Sequence, residues 1–367
     1  MVVVAAEIAQ MDPRGLRRVE ELFDQQIETG VHPGAALAVY RHGMPVLDLY
    51  SGLANLESGK PVAEDTMFVL YSSTKAVTSA CLHILWERGK FDWDDTVAAH
   101  WPEFAQKGKE EVTIKHVMTH ESGFPDTPSH MTWDRWHDWE AAVEAMEQIP
   151  LDYKPGRVIA YHPRNFGWVV GELVRRIDGR PIDRFVREEI AGPQTLEEFH
   201  LGIDPSMEDR VAKLYPMEDC DRTSQVTIYN RPEVHTAVLP AGGGIATARG
   251  LARFYAMMAG GGTLDGVTML KPETVAAVTK QQSEGLDHSL DRQVKRSLGL
   301  SLGDPRTAAP GNEDIRTFGH AGSGTSVGWA NPDSGLAFAY ITNGFRAEAT
   351  NTPRLAEISQ AVLDAAL

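Results

Sequence analysis

Cysteine is nearly absent from this 367-residue chain: only Cys81 and Cys220 occur, one in an apolar helical stretch and one in a polar loop. Two cysteines so placed make neither a disulfide framework nor a metal cluster, and they suit a reducing cytoplasm, which is the predicted compartment. Long hydrophobic runs are also missing, so no segment of about eighteen apolar residues is available to span a membrane. The opening Met1–Glu7 has no basic residue ahead of its apolar run, which Glu7 cuts short, and this argues against a secretory signal. Positive charge is scarce: 35 Lys+Arg face 51 Asp+Glu, a formal net charge of −16. Such a chain repels phosphate backbones and anionic lipid surfaces, which excludes nucleic acid and membrane as main partners. No internal repeat or low-complexity tract is seen, and nothing fixes an oligomeric state.

What is present is the composition of a folded protein, 42% hydrophobic and 23% charged. Asp12-Pro13 reads as an N-cap followed by proline at the first helical position, after which Leu16, Val19, Phe23 and Ile27 recur at helical spacing up to Gly30. Ala35 to Tyr50 changes period and reads as a hairpin around His42-Gly43. Thr74–Trp86, Asn165–Ile177, Thr247–Met258 and Pro272–Lys280 read as helices, and a last helix is placed from about Pro353. β-like runs at Val327–Asn331 and Leu336–Thr342 flank the turn Asn331-Pro332-Asp333-Ser334-Gly335. Strands thus cluster at both chain ends. The predicted architecture is an α/β (α+β) unit: one sheet domain from 1–96 plus 237–367, interrupted by a mainly helical lobe at 97–236, with a cleft between them.

The search for chemistry begins with nucleophiles. Ser72-Ser73-Thr74-Lys75 contains Ser-x-x-Lys where the chain enters a helix, so one helical turn brings the Lys75 amine towards the Ser72 hydroxyl. Backbone N–H groups at a helix start can hold an oxyanion, and burial can turn a lysine into a base. With 17 serines and 11 lysines, the spacing alone is expected about half a time by chance, so it needs companions. Two segments supply them: Tyr161-His162-Pro163, after the turn Lys154-Pro155-Gly156, and His320-Ala321-Gly322-Ser323-Gly324, at the entry to a β-rich run.

These three motifs in this order resemble the serine hydrolases of the class C β-lactamase and family VIII carboxylesterase group. The resemblance extends over nearly the whole chain, through Thr119-His120-Glu121-Ser122-Gly123, the Tyr161–Gly179 stretch with Gly171-Glu172-Leu173, Pro240–Gly244, and Phe318–Asn331. It implies a β-lactamase-like antiparallel sheet flanked by helices, with Ser72 as the nucleophile of an acyl-enzyme. It further implies that Lys75 and Tyr161 share the base work, the tyrosine being acidified by the neighbouring ammonium. Ser72 and Ser323 would supply the backbone oxyanion hole, and His320 with Gly322 would stand at the position of the lactamase Lys-Thr-Gly motif. No organic cofactor or metal is implied.

Two departures bear on substrate. Pro163 stands where the lactamases carry the asparagine of Tyr-x-Asn, with Asn165 as the nearest substitute; neutral His320 replaces a cationic lysine. Both favour ester over lactam. The acidic charge and the missing lysine also predict small to medium, neutral or apolar acyl groups, and Trp133 and Trp136 are placed in the pocket wall. The partner is therefore a small-molecule ester. Rival readings on the same chemistry are a β-lactamase, a D-amino-acid peptidase or an acyltransferase. A non-catalytic acyl-binding or penicillin-sensing module is disfavoured because Ser72, Lys75 and Tyr161 occur together. Gly324-Thr325-Ser326-Val327-Gly328 matches the nucleophile elbow of α/β-hydrolases, but that fold needs a later histidine and none follows His320. His116 and His120 are spaced i, i+4 without the glutamate of a zinc motif and read as structural.

Overall fold

The structure is a computed structural model that describes residues 9–193, 198–303 and 316–367; the Met1–Glu7 segment read above lies outside them. Helix α1 (Pro13–Glu28) begins where the sequence places it, with the Asp12 carboxylate accepting from Arg14 N and Gly15 N at 3.0 and 3.3 Å. Its buried stripe is Leu16, Val19, Leu22 and Phe23. Strands β1 (Gly34–Arg41) and β2 (Met44–Asn55) form the expected hairpin. Its two turn residues, His42 and Gly43, both have positive φ (50° and 76°), the geometry that matches the right-handed twist of the flanking strands.

Strand β3 (Lys60–Pro61) follows, then helix α2 (Thr74–Glu87), helix α3 (Asn165–Asp178) and helix α4 (Ala248–Ala259). The C-terminal part contributes strands β4 (Ser283–Asp287), β5 (Arg292–Arg296), β6 (Ser301–Leu302), β7 (Phe318–Gly322), β8 (Ser326–Asn331) and β9 (Leu336–Thr342). The nine pair antiparallel in the order β4-β5-β6-β7-β8-β9-β1-β2-β3, so the join between the two halves of the chain is β9 against β1, with Ala38 opposite Ala339. None of these nine strands comes from the long helical stretch between β3 and β4.

Both faces of the sheet are covered, which is why β1 and β9 read as unbroken apolar runs. Along β1, Ala35, Leu37 and Val39 face α1 and the last helix, α5 (Glu348–Asp364), where Leu355, Ile358 and Val362 pack. Ala36, Ala38 and Tyr40 face the larger core with Leu251, Phe254 and Tyr255 of α4. Helix α2 runs through that larger core, and every residue from Thr74 to Leu85 is buried. A helix buried on every side belongs at the centre of a molecule. Helix α5 corrects one boundary: it starts at Glu348, ahead of the expected Pro353, which sits inside it. The amide that Pro353 lacks would have bonded Ala349, an exposed residue whose carbonyl can turn to water. Among the described residues no helix is long and apolar enough to cross a membrane.

Candidate active site

Ser72 sits at the centre of a one-turn 3-10 helix, Tyr71–Ser73, that runs directly into α2. Tyr71 is held at φ 46°, a conformation that costs a bulky residue energy and must be imposed by its surroundings. Here the phenol ring is gripped by Tyr229 (centroids 4.6 Å) and Phe345 (5.5 Å), while the Tyr71 carbonyl accepts from the Thr74 hydroxyl at 2.6 Å. Thr74 in turn accepts from Gly244 N at 2.9 Å, tying Pro240–Gly244 to the turn.

Strand β7 is pressed against the same turn. The Ser73 hydroxyl donates to the His320 carbonyl at 3.1 Å and lies 3.0 Å from the Ser326 hydroxyl, which donates to the Leu70 carbonyl at 2.7 Å. A Cβ on Gly322 would fall 2.1 Å from that same Leu70 oxygen, so only glycine admits this approach. The consequence is that Ser323, the next residue, lines the same cavity as Ser72. Ser326 therefore serves as a buried clamp between strand and turn, in β8 and not on a strand–turn–helix elbow. Ser326→Ala is expected to lower stability by about 0.5–1.5 kcal/mol in urea denaturation, through the lost Ser326 hydrogen bond, while ester turnover persists; the Leu70 carbonyl keeps the Ser73 N–H at 3.2 Å. Loss of turnover in that variant, with Ser72→Ala active, would make Ser326 the nucleophile.

Lys75 is wholly buried. Its amine lies 2.9 Å from the Pro163 carbonyl, 2.9 Å from the Ala241 carbonyl and 3.3 Å from the Ser72 hydroxyl oxygen. Burial, followed by repulsion from Arg164 and Arg296, holds it well below the ordinary lysine range. A neutral amine has two N–H bonds and one lone pair. In that form the two carbonyls, which can only accept, take both N–H bonds, and the lone pair faces Ser72.

Tyr161 packs beside this group, with the Lys75 amine 4.8 Å from its ring centroid. Its hydroxyl is buried and lacks a partner of hydrogen-bonding geometry, although Ser72 is near enough to favour the phenolate slightly. The expectation of an acidified tyrosine is not met. Burial raises the phenol above its ordinary value and outweighs both Ser72 and Arg296, so the phenol keeps its proton at neutral pH.

Two residues that were not assigned to the site hold the Tyr161 segment. His120, itself at φ 62°, accepts from Ala160 N through its carbonyl (2.9 Å) and from His162 N through Nδ1 (3.1 Å). Asp287, at the end of β4, accepts from Tyr161 N at 3.1 Å and pairs with Arg296 at 2.5 Å, both side chains being buried. Arg296 in turn lies 5.6 Å from the Tyr161 ring. Asp287→Ala is expected to cost about 3–5 kcal/mol in chemical denaturation, because it strands the Arg296 charge in the interior. A change below about 1 kcal/mol would mean that the pair behaves like a surface bridge.

His320 is buried, and its Nδ1 donates to the Ala321 carbonyl at 2.8 Å, which leaves Nε2 a bare acceptor. Burial and then Lys75 push its imidazole down to about 3, so it is neutral, in keeping with the loss of the motif cation. Gly322, Ser323 and Trp136 line a cavity of about 420 Å³ together with Ser72, Tyr161 and His320. Asn165 does not: its amide nitrogen is tied to the Phe124 and Asp126 carbonyls at 2.8 and 2.9 Å, where it pins a loop. Trp133 is also outside the cavity, packed under Arg231 at 4.1 Å. The lining departs from expectation in charge as well, since Arg164, Arg222, Arg292, Arg296 and Arg346 face only Asp221 and Glu348. His116 closes a capping box with Thr113, which agrees with its structural reading.

The beta-lactamase family profile matches residues 19–362. The chain belongs to the beta-lactamase family. It is 32% identical over 339 residues to "Esterase/beta-lactamase LipL" of Mycobacterium tuberculosis, covering 84% of this chain and 77% of that protein. Among solved structures, a family VIII carboxylesterase superposes with a TM-score of 0.87 at 26% identity, covering 95% of this chain and 98% of that one. A penicillin-binding protein homologue from Caulobacter crescentus gives 0.85 at 30% identity, with 96% and 98% coverage. These likenesses make the protein a serine hydrolase of the β-lactamase-like family, with the mixed α/β fold that the motif order implied.

Proposed function

We propose that the protein hydrolyses carboxylic esters of small to medium acyl groups through an acyl-enzyme on Ser72. The observation that carries this reading is the three-point seat of Lys75, which leaves a lone pair for the Ser72 proton. Lys75 takes that proton as the Ser72 oxygen adds to the ester carbonyl, and the oxyanion is held by the backbone N–H groups of Ser72 and Ser323. Collapse expels the alcohol, which takes the proton of the Tyr161 phenol, and the Lys75 ammonium restores that proton. Water then repeats the cycle on the acyl-enzyme, and Ser72 regains its hydrogen. Ester is favoured over lactam because Pro163 has no amide to offer and Asn165 is committed to its loop.

A panel of p-nitrophenyl acetate and butyrate, nitrocefin and a D-Ala-D-Ala peptide, run with and without added alcohol, tests the reaction class. Release of p-nitrophenol with little nitrocefin or peptide turnover supports the esterase. Dominant nitrocefin hydrolysis, peptide cleavage or transfer to the alcohol would replace it by one of the three rivals. The pH profile has a definite sign. Protonating Lys75 removes the base, so kcat/KM falls as pH drops through the depressed lysine value, and that acid limb lies below the ordinary lysine range. An acid limb in the ordinary lysine range would contradict the neutral amine.

A further inference from the structure

We propose that the cavity binds an ester bearing a carboxylate, and that the Arg164 guanidinium receives that carboxylate. The overall charge of −16 makes a cationic cavity unexpected, yet five arginines face two carboxylates in its lining. Three of the arginines have carboxylate partners within the fold: Arg296 pairs with Asp287, Arg346 with Asp219 at 3.0 Å, and Arg222 with Asp221 at 3.9 Å. Arg164 does not. Among the described residues no carboxylate lies within ion-pair distance of it, and its Nε is buried without an acceptor. A buried donor left unpaired is costly, so an acceptor brought by a ligand is the missing partner.

The geometry suits a planar anion. The Arg164 guanidinium lies over the Trp136 ring at 4.6 Å, and Trp136 is itself fixed by donating to the Met131 carbonyl at 3.1 Å. Stacking occupies one face of the guanidinium and leaves its in-plane N–H edge for a two-point contact with a carboxylate. Arg164 also follows Pro163, whose carbonyl accepts from Lys75, so the anion site adjoins the reacting centre. The proposal departs from the expectation of neutral substrates, which rested on the charge of the whole chain and on the missing motif lysine, whereas a ligand meets the local lining.

The proposal rests on the esterase reading for its reaction but can be tested by binding alone. Calorimetry on Ser72→Ala compares monomethyl adipate with dimethyl adipate, which places the carboxylate on the acyl side. A second pair, 3-acetoxybenzoate and methyl 3-acetoxybenzoate, places it on the alcohol side. In at least one pair the anion is expected to bind about tenfold tighter or more. Arg164→Gln in the same background should abolish the preference, and Arg164→Lys should keep part of it. Added sodium chloride should weaken it. Equal or tighter binding of the neutral member in both pairs overturns the proposal. So does a preference unmoved by Arg164→Gln in a protein with an unchanged circular-dichroism spectrum. Should Arg164→Gln not fold, the comparison within Ser72→Ala and the Arg164→Lys variant still decide. Failure of the wild type to hydrolyse p-nitrophenyl butyrate would remove the ester reading, while the anion preference would stand or fall separately.

Discussion

Ser72→Ala is expected to reduce turnover of p-nitrophenyl butyrate by about 10⁴-fold or more. Its hydroxyl oxygen is the atom at 3.3 Å from the Lys75 amine, and no covalent intermediate can form without it. Stability should change by less than about 1 kcal/mol, because the side chain is half-buried and the turn is fixed by Ser73, Thr74 and Gly244. Intact-mass measurement after reaction with a fluorophosphonate gives a second readout. The wild type should gain one adduct and Ser72→Ala none. An adduct on the variant, or hydrolysis at the normal rate, would move the nucleophile elsewhere.

Removing Lys75 is the second large effect. Lys75→Met should cost about 10³- to 10⁴-fold in kcat/KM, since it deletes the base. Tyr161→Phe should lose orders of magnitude, and the double variant should fall far short of the product of the two losses, because the groups pass one proton between them. Additive losses would mean that the two act separately. The variant also carries a signature in stability. The folded-state value of Lys75 lies well below the ordinary 10.5, so between the two values the unfolded chain binds one more proton than the folded one. Stability from this group therefore rises with pH across that window. Lys75→Met lacks this slope, and the difference between wild type and variant should move in favour of the wild type as the solution is made alkaline. An unchanged difference would show that the amine is charged in the folded protein.

The parts of this molecule legible in the sequence are those written locally. Asp12-Pro13 opens α1, His42-Gly43 turns the first hairpin, and Ser72 with Lys75 lies one helical turn apart at the head of α2. Asp287 is not legible because its strand, Ser283-Glu284-Gly285-Leu286-Asp287, shows no clean alternation, and Arg296 ends the equally polar β5, Arg292-Gln293-Val294-Lys295-Arg296. Their purpose appears only when β4 lies beside the Tyr161 loop. Asn165 is expected at the site as the nearest amide to the Tyr-x-Asn position, and Trp133 as one of the aromatics of the lobe over the cleft. The helical turn sends Asn165 to the loop carbonyls, and Arg231 covers Trp133. The acidified Tyr161 that the resemblance implies is not found, because burial of the phenol outweighs every charge near it.

The seam between β1 and β9 has a consequence for how the protein is made. A strand that emerges early from the ribosome has its inner neighbour some three hundred residues downstream, Ala38 facing Ala339. Until β7, β8 and β9 exist, the nucleophile turn has neither its Ser326 clamp nor the close flank of Gly322. Contacts of such span form slowly and late. A nascent or truncated chain can thus carry Ser72 and Lys75 on a formed helix and still be inert, so that competence to attack an acyl group arrives with completion of the sheet.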